Sequence, residues 1–241
     1  MRRAAPQRAV DRLIVALDVT SLATALAMAR KLRGVAKTVK IGSVLFTACG
    51  PLAVQRLRAL GFNVMLDLKF LDIPSTVELS CRAAVRQRVS MLTVHAASSN
   101  VMLRAAAAGV RAEAARLHIT RPLVLGITVL TSVDRRASAS VSAQVIRLAA
   151  QALTSGCDGV VASAQEARPL RRRFGKRLKI FCPGIRPAGT QANDQQRVCT
   201  PREALRRGAE GLIIGRPITM ASRPRAAVKR ILNEMEAVNE C

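Results

Sequence analysis

Carboxylate and ammonium side chains are grouped in one short segment of the sequence, Asp67-Leu-Lys69, which is followed by Asp72. In a β-strand, side chains two residues apart project from the same face, so Asp67 and Lys69 would stand side by side. Such a pair can be a structural ion pair, but at the mouth of a pocket it can also stabilise developing charge and transfer a proton. Asp18 and Lys40 occur at the ends of earlier apolar runs, which favours the functional interpretation.

A second group of residues is suited to binding a phosphate. Gly215 and Arg216 follow an apolar run near the C-terminus, and Arg186 follows Pro183 and Gly184 after the preceding run. Glycine allows the backbone to approach a ligand closely, and a guanidinium group can bind phosphate oxygens in pairs. Because arginine is abundant along the whole chain, the Gly-Arg pair is a more specific signal than any single arginine.

Short apolar runs would position both groups, and they alternate with stretches of helical spacing such as Leu22, Leu26 and Ala29. The runs are continuous rather than alternating, which is typical of parallel strands covered on both faces. Eight such units predict an α/β fold, a single-domain (β/α)8 TIM barrel with its chemistry at the C-terminal ends of the strands. A doubly wound open sheet is the alternative, but no GxGxxG turn follows the first run. The runs cover residues 13–19, 38–44, 62–70, 91–97, 123–130, 158–164, 178–185 and 210–217.

Length and composition fit one such domain. We expect residues 1–12 to form a flexible basic N-terminus and residues 13–241 to form the barrel. No apolar run approaches the roughly 18 residues that span a bilayer, so we expect a cytoplasmic protein without a membrane partner. The six cysteines form no CxxC pair and have no histidine at ligand spacing, which predicts reduced thiols and no metal site.

The charge is strongly basic, with 39 Lys and Arg against 15 Asp and Glu, a net charge of +24. This balance permits a basic RNA-binding protein on the same scaffold as an alternative function. The chain has no Trp or Tyr and five Phe, which leaves few platforms for stacking bases. The arginines are also dispersed, so we expect no specific nucleic-acid partner and at most weak, non-specific binding.

The segment Asp67-Leu-Lys-Phe-Leu-Asp-Ile-Pro-Ser-Thr76 resembles the active-site signature of the orotidine 5′-phosphate decarboxylases. The resemblance extends in the family's order through LIVALDV, VKIG, VHA, GITVLTS, DGVVASAQEA, PGIRP, DQQR and IGRPIT. It implies conversion of orotidine 5′-phosphate to UMP and carbon dioxide, the last step of de novo pyrimidine biosynthesis, without a metal or organic cofactor. Sugar-phosphate decarboxylases and synthases of the same superfamily, which share Asp-x-Lys-x-x-Asp and bind magnesium, are the alternative.

The resemblance also implies residue roles. Lys69 would donate the proton to C6 of the pyrimidine, within a charge array completed by Asp67, Lys40 and Asp72. The resemblance further implies a homodimer with shared active sites, in which Asp72, Ile73 and Thr76 would be contributed to the neighbouring subunit's site. The residues that the resemblance places against the substrate are Asp18, Lys40, Asp67, Ile73, Thr76, Thr131, Arg186, Gln195, Gly215 and Arg216.

Overall fold

A computed structural model describes residues 8–129, 138–187 and 199–237, with the backbone alone for residues 138–140. Eight parallel strands alternate with helices along the chain. The strands are β1 (Leu13–Ala16), β2 (Thr38–Gly42), β3 (Asn63–Phe70), β4 (Met91–His95), β5 (Leu123–Ile127), β6 (Gly159–Val161), β7 (Lys179–Cys182) and β8 (Gly211–Ile214).

Each strand pairs in parallel with the next, and β1 pairs with β8 as well as β2, so the sheet closes into a barrel. The predicted (β/α)8 barrel is therefore confirmed, and the open sheet is excluded. The strands are shorter than the predicted runs, mostly at their C-terminal ends. The residues beyond those ends, Asp18 and Arg186 among them, leave the sheet and line the rim of the barrel.

The helices form the outer layer. They are α1 (Ala9–Arg12), α2 (Leu22–Leu32), α3 (Ser43–Cys49), α4 (Pro51–Ala59), α5 (Pro74–Arg86), α6 (Asn100–Arg116), α7 (Ser138–Thr154), α8 (Ala164–Phe174), α9 (Pro201–Arg206), α10 (Arg216–Thr219) and α11 (Pro224–Glu236), with a 3-10 turn at Gly175–Arg177. Side-chain hydrogen bonds cap the N-termini of several of these helices. The Ser21 hydroxyl accepts from the Thr24 amide, and the Thr200 hydroxyl accepts from the Glu203 amide.

The strands are continuous apolar runs because apolar layers cover both faces of the sheet. The larger layer lies between the strands and the helices. The smaller layer fills the inside of the barrel and contains Ile14, Ala16, Met65, Leu125, Ile127, Val161, Phe181 and Ile213. Strands covered on both faces need apolar side chains in both directions, as parallel sheets generally do.

The N-terminal end of the barrel is closed by arginines. Residues 9–12, which we expected to belong to a flexible tail, form α1, and the Arg12 guanidinium donates to the carbonyls of Ala209 and Glu210. Arg171 donates to the carbonyls of Leu178 and Gly208 at the same end. These arginines satisfy backbone carbonyls that precede β7 and β8, so part of the basic excess is structural. Residues 1–7 lie outside the described ranges.

The cysteines in the described parts of the chain form no disulfide bonds. Five cysteines are free thiols, Cys49, Cys81, Cys157, Cys182 and Cys199, while Cys241 lies outside the described residues. Burial raises the pKa of the Cys81 thiol to about 12 and that of Cys157 to about 12, which keeps both protonated. Among the helices in the described parts of the chain, none is long and apolar enough to cross a membrane.

The inside of the barrel is tightly packed where Gly211 faces the Phe181 ring. A β-carbon at residue 211 would lie 2.6 Å from Cδ1 of Phe181, closer than van der Waals contact allows. We expect Gly211→Ala to lower the free energy of unfolding by about 1–3 kcal/mol through overpacking. The double variant Gly211→Ala/Phe181→Leu should recover part of that loss, because the smaller side chain makes room for the methyl group. Urea unfolding of both single variants and the double variant measures this coupling, and strictly additive losses would contradict it.

Candidate active site

A cavity of about 460 Å³ opens at the C-terminal ends of the strands, the rim where barrel enzymes place their chemistry. Its volume lies within the range of sites that hold small molecules. One side carries charged groups and the remainder is mainly apolar. The lining residues are Ala16, Asp18, Lys40, Asp67, Lys69, Ile127, Val129, Val161, Ala162, Pro183, Gly184, Arg186, Ile213, Gly215, Arg216 and Thr219.

A row of alternating charges crosses one wall of this cavity. The Lys40 ammonium lies 2.9 Å from Asp18 Oδ1 and 3.3 Å from Asp67 Oδ2. The Lys69 ammonium lies 2.9 Å from the same Asp67 oxygen. Lys40 and Asp67 are both buried, each with 7% of its surface exposed. The Asp67 carboxylate thus joins two ammonium groups from different strands, and the predicted meeting of Asp18, Lys40, Asp67 and Lys69 is observed.

The electrostatics of the row keep its buried members charged. Burial by itself would lower the pKa of the Lys40 ammonium, but the carboxylates of Asp67 and Asp18 outweigh it and raise that pKa above its ordinary value. Burial would raise the pKa of the Asp67 carboxyl, but the ammonium groups of Lys40 and Lys69, with hydrogen bonds from Lys69 and Thr93, lower it. An ionised carboxylate between two ammonium groups is therefore the stable state at neutral pH.

Lys69 reaches the cavity through an irregular backbone. Its φ is +52°, in the left-handed region that costs a non-glycine residue on the order of 1–3 kcal/mol. The pairing of β3 with β4 also shifts between Leu66 and Phe70. The prediction that Asp67 and Lys69 share a face is correct, and the alternation of side chains along β3 persists although its pairing with β4 is irregular here.

The apolar neighbours of this pair face the helices, as predicted. Leu66 is buried in the layer between strands and helices, and Leu68 and Phe70 pack against that layer. The segment therefore has a polar side in the cavity and an apolar side under α5.

Cationic residues also line the cavity on the part of the rim that follows β7 and β8. Arg186 is buried with 7% of its surface exposed, and one of its Nη atoms donates to the carbonyl of Ile185. Gly215 precedes α10, and Arg216 begins that short helix at the cavity wall. The predicted phosphate-binding residues Arg186, Gly215 and Arg216 are thus brought together around one cavity.

Other predicted substrate-binding residues are not in the cavity of this chain. Asp72 and Ile73 are exposed on the connection from β3 into α5, and Thr76 is exposed in the first turn of α5. The Asp72 carboxylate accepts from the Ile73 amide at 2.6 Å. Thr131 and Gln195 lie outside the described residues.

Three residues near the charge row, Gly42, Thr93 and His95, had no functional role assigned to them from the sequence. A β-carbon at Gly42 would lie 3.1 Å from Lys40 Nζ and 3.2 Å from Asp18 Oδ1, so the glycine leaves room for that ion pair. The Thr93 hydroxyl contacts Asp67, and burial together with the Lys69 ammonium lowers the pKa of the His95 imidazole. Gly42 lies in the VKIG segment and His95 in the VHA segment, so the family resemblance could have pointed to both. Thr93 lies in none of the segments that carry the resemblance.

Comparisons with known proteins agree with this geometry. Residues 11–231 match the sequence model of the orotidine 5′-phosphate decarboxylase / HUMPS family. The orotidine 5′-phosphate decarboxylase of Moorella thermoacetica is 48% identical over 237 residues, covering 95% of this chain and 94% of that protein. The enzyme of the same name from Nitrosococcus oceani is 44% identical over 234 residues, covering 95% and 99%. The crystal structure of the Lactobacillus acidophilus enzyme has a TM-score of 0.81 at 32% identity, covering 92% of this chain and 98% of that one.

The lowered pKa of Asp67 predicts how its contribution to stability changes with pH. That contribution is complete above the unfolded-state pKa of about 3.9 and is lost as the pH falls from there through the lower folded-state pKa. We expect the melting temperature of the wild type minus that of Asp67→Asn to stay constant from about pH 8 to 5 and to decrease below about pH 4. Glu236→Gln, which removes an exposed carboxylate, controls for the change in net charge. If the melting temperature of the wild type minus that of Asp67→Asn increases toward pH 3, the pKa of Asp67 is not lowered by folding.

Proposed function

Because the chain belongs to the orotidine 5′-phosphate decarboxylase / HUMPS family, we propose that it converts orotidine 5′-phosphate to UMP and carbon dioxide. In this proposal it is a carboxy-lyase that carries out the last step of de novo pyrimidine biosynthesis in the cytoplasm, without a metal or organic cofactor. The observation that carries the proposal is the Lys69 ammonium, held 2.9 Å from buried Asp67 in a cavity that Arg186 and Arg216 also line.

The reaction needs a fixed positive charge at the carbon that loses carbon dioxide. When the bond from C6 to the carboxylate breaks, carbon dioxide leaves and the electron pair stays on C6. A preorganised ammonium stabilises that pair and then transfers its own proton to C6, becoming an amine that solvent reprotonates. Lys69 is suited to both tasks because its side chain lines the cavity and its ammonium is held by a hydrogen bond to Asp67.

The remaining residues bind the parts of the substrate that do not react. Binding energy from a remote phosphate can orient the reacting carbon, which is why the cations across the cavity matter for the rate. In this proposal Lys40, Asp67 and Asp72 complete the charge array around Lys69. The ribose is contacted by Asp18, Lys40 and Thr76, the base by Thr131, and the phosphate by Arg186, Gln195, Gly215 and Arg216.

The central test is a spectrophotometric assay of orotidine 5′-phosphate turnover in the presence of EDTA. We expect full activity in the chelator and a loss of many decades in Lys69→Ala, because charge stabilisation and the proton are both removed; each decade corresponds to about 1.4 kcal/mol. Lys176→Ala, an exposed lysine in the 3-10 turn before β7, is the matched control and should retain wild-type activity.

Three outcomes would contradict the proposal in different ways. Retention of more than about a tenth of the rate in Lys69→Ala would remove that residue from the chemistry. Loss of activity in EDTA would favour the magnesium-dependent sugar-phosphate enzymes of the superfamily. Salt-sensitive RNA binding without turnover would favour a nucleic-acid-binding role for the basic surface.

Arg216 is predicted to act on the phosphate and not on the base. A charge-assisted hydrogen bond contributes about 1.5–3 kcal/mol, so Arg216→Ala should lower kcat/KM for the nucleotide by roughly 10- to 150-fold. The nucleoside orotidine, which lacks the phosphate, should be turned over equally by the variant and the wild type. Arg173→Ala, an exposed arginine of α8, is the control for lost positive charge. A comparable loss on the nucleoside would give Arg216 another role.

The proposal includes a homodimer whose active sites are shared. The connection from β3 into α5 exposes Leu71 and Ile73, and α5 itself exposes Leu79, with 59%, 64% and 65% of their surfaces accessible. Asp72 lies among these apolar side chains and outside the cavity of its own chain. Apolar side chains exposed close together indicate a surface that another molecule covers. A two-fold partner would cover this segment and bring Asp72 to the partner's Lys69.

Mixing two inactive variants tests the shared site. Lys69→Ala and Asp72→Ala chains are unfolded together and refolded. If Asp72 serves the partner's site, each mixed dimer has one doubly damaged site and one intact site. With random pairing about half the dimers are mixed, so about a quarter of the sites should regain wild-type activity. A mixture as inactive as both parents, with mixed dimers confirmed by native mass spectrometry, would show that Asp72 acts within its own chain.

A further inference from the structure

Thr93 lies opposite the bulge that carries the charged pair. Leu66 pairs with Leu92 and Phe70 pairs with Val94, so three residues of β3, 67–69, face the single residue Thr93 of β4. A bulge of this kind leaves backbone groups without their ladder partners. Thr93 is fully buried, so its hydroxyl group has no access to water.

The Thr93 hydroxyl makes two hydrogen bonds, one to each end of the bulge. Its oxygen accepts from the Lys69 amide at 2.9 Å and donates to Asp67 Oδ1 at 3.0 Å. The first bond holds the backbone of Lys69 where its φ is +52°, and the second leaves Asp67 Oδ2 facing the ammonium groups. A hydroxyl group is both donor and acceptor, so one atom can fix the lysine backbone and the carboxylate together.

We propose that Thr93 is a positioning residue, which sets the Lys69 ammonium against Asp67 through the backbone of the bulge and does not itself touch the substrate. The inference rests on the proposed decarboxylase activity for its kinetic consequence, but the hold on the Lys69 backbone is a property of the free protein. Since Thr93 is absent from the residues that line the cavity, its effect must pass through Lys69 and Asp67.

A purely structural role for Thr93 makes a different prediction. A threonine that only fills the barrel wall would be replaced by valine with a change in stability and no change in the chemical step. A positioning residue affects the step at which Lys69 acts. Its loss should therefore lower kcat and leave substrate binding by the distant phosphate contacts largely intact.

The test compares Thr93→Val, which keeps the shape and removes the hydroxyl, with Thr93→Ser, which keeps the hydroxyl. Thr38→Val is the matched control, because Thr38 is a buried threonine in β2 outside the cavity. Each variant is measured for kcat and KM with orotidine 5′-phosphate, for its melting temperature, and for amide hydrogen exchange in peptic fragments that contain residue 69.

We expect Thr93→Val to reduce kcat about a hundredfold, as a displaced reacting group does, with KM within about threefold of the wild type. Amide exchange at residue 69 should accelerate, because the Lys69 N–H loses its acceptor. Thr93→Ser should restore both kcat and slow exchange, and Thr38→Val should change neither. Retention of wild-type kcat in Thr93→Val, or an equal loss in the serine variant, would overturn the inference.

The exchange measurement separates this inference from the proposed function. If the wild type does not turn over orotidine 5′-phosphate, the proposed function fails, while faster exchange at Lys69 in Thr93→Val alone would still support the positioning role. If the wild type is active and Thr93→Val shows neither faster exchange nor lower kcat, the positioning role fails and the proposed function stands.

Discussion

The site depends on one buried carboxylate that holds two ammonium groups and a hydroxyl. Asp67 Oδ2 lies 2.9 Å from the Lys69 ammonium and 3.3 Å from that of Lys40, and Asp67 Oδ1 accepts from Thr93 at 3.0 Å. A buried charge without partners is strongly destabilising, and removal of either ammonium would leave Asp67 less compensated. The interactions that keep this charge in the barrel are therefore the same ones that fix Lys69 for chemistry.

The pairing of β3 with both of its neighbouring strands brings the partners of Asp67 together. Lys40 reaches Asp67 from the neighbouring strand β2, and Thr93 reaches it from β4 on the other side. Gly42, which lies opposite Asp67 in the pairing of β2 with β3, leaves the space that Lys40 and Asp18 occupy. The bulge in β3 then carries Lys69 into the same space. Charged side chains from β2, from β3 and from the residue Asp18 after β1 thus form one wall of the cavity, while apolar side chains fill the barrel beneath it.

The arginines of this basic chain serve several structural purposes. Arg12 and Arg171 bind backbone carbonyls at the N-terminal end of the barrel, and Arg186 and Arg216 line the cavity at the other end. Arg86 and Arg116 both bind the Glu113 carboxylate between α5 and α6, at 2.7 and 2.6 Å. Arginine suits all three settings because its planar guanidinium has five donors that can meet carbonyl, carboxylate or phosphate oxygens. The net charge alone therefore does not indicate a nucleic-acid partner.

The sequence by itself determined the eight strands, the barrel and most of the charge row. Continuous apolar runs predict parallel strands, and their C-terminal ends meet at one rim, so Asp18, Lys40, Asp67 and Lys69 could be placed together. The sequence did not determine the bulge in β3, because a shift in strand pairing depends on which residue of β4 faces it. From the sequence, Thr93 is predicted only to be a residue of a buried strand. The structure shows that its hydroxyl group bonds both the Lys69 amide and the Asp67 carboxylate. Alternation specifies the face on which a side chain lies, but only the packed barrel decides the backbone path that brings its charged atom within hydrogen-bonding distance.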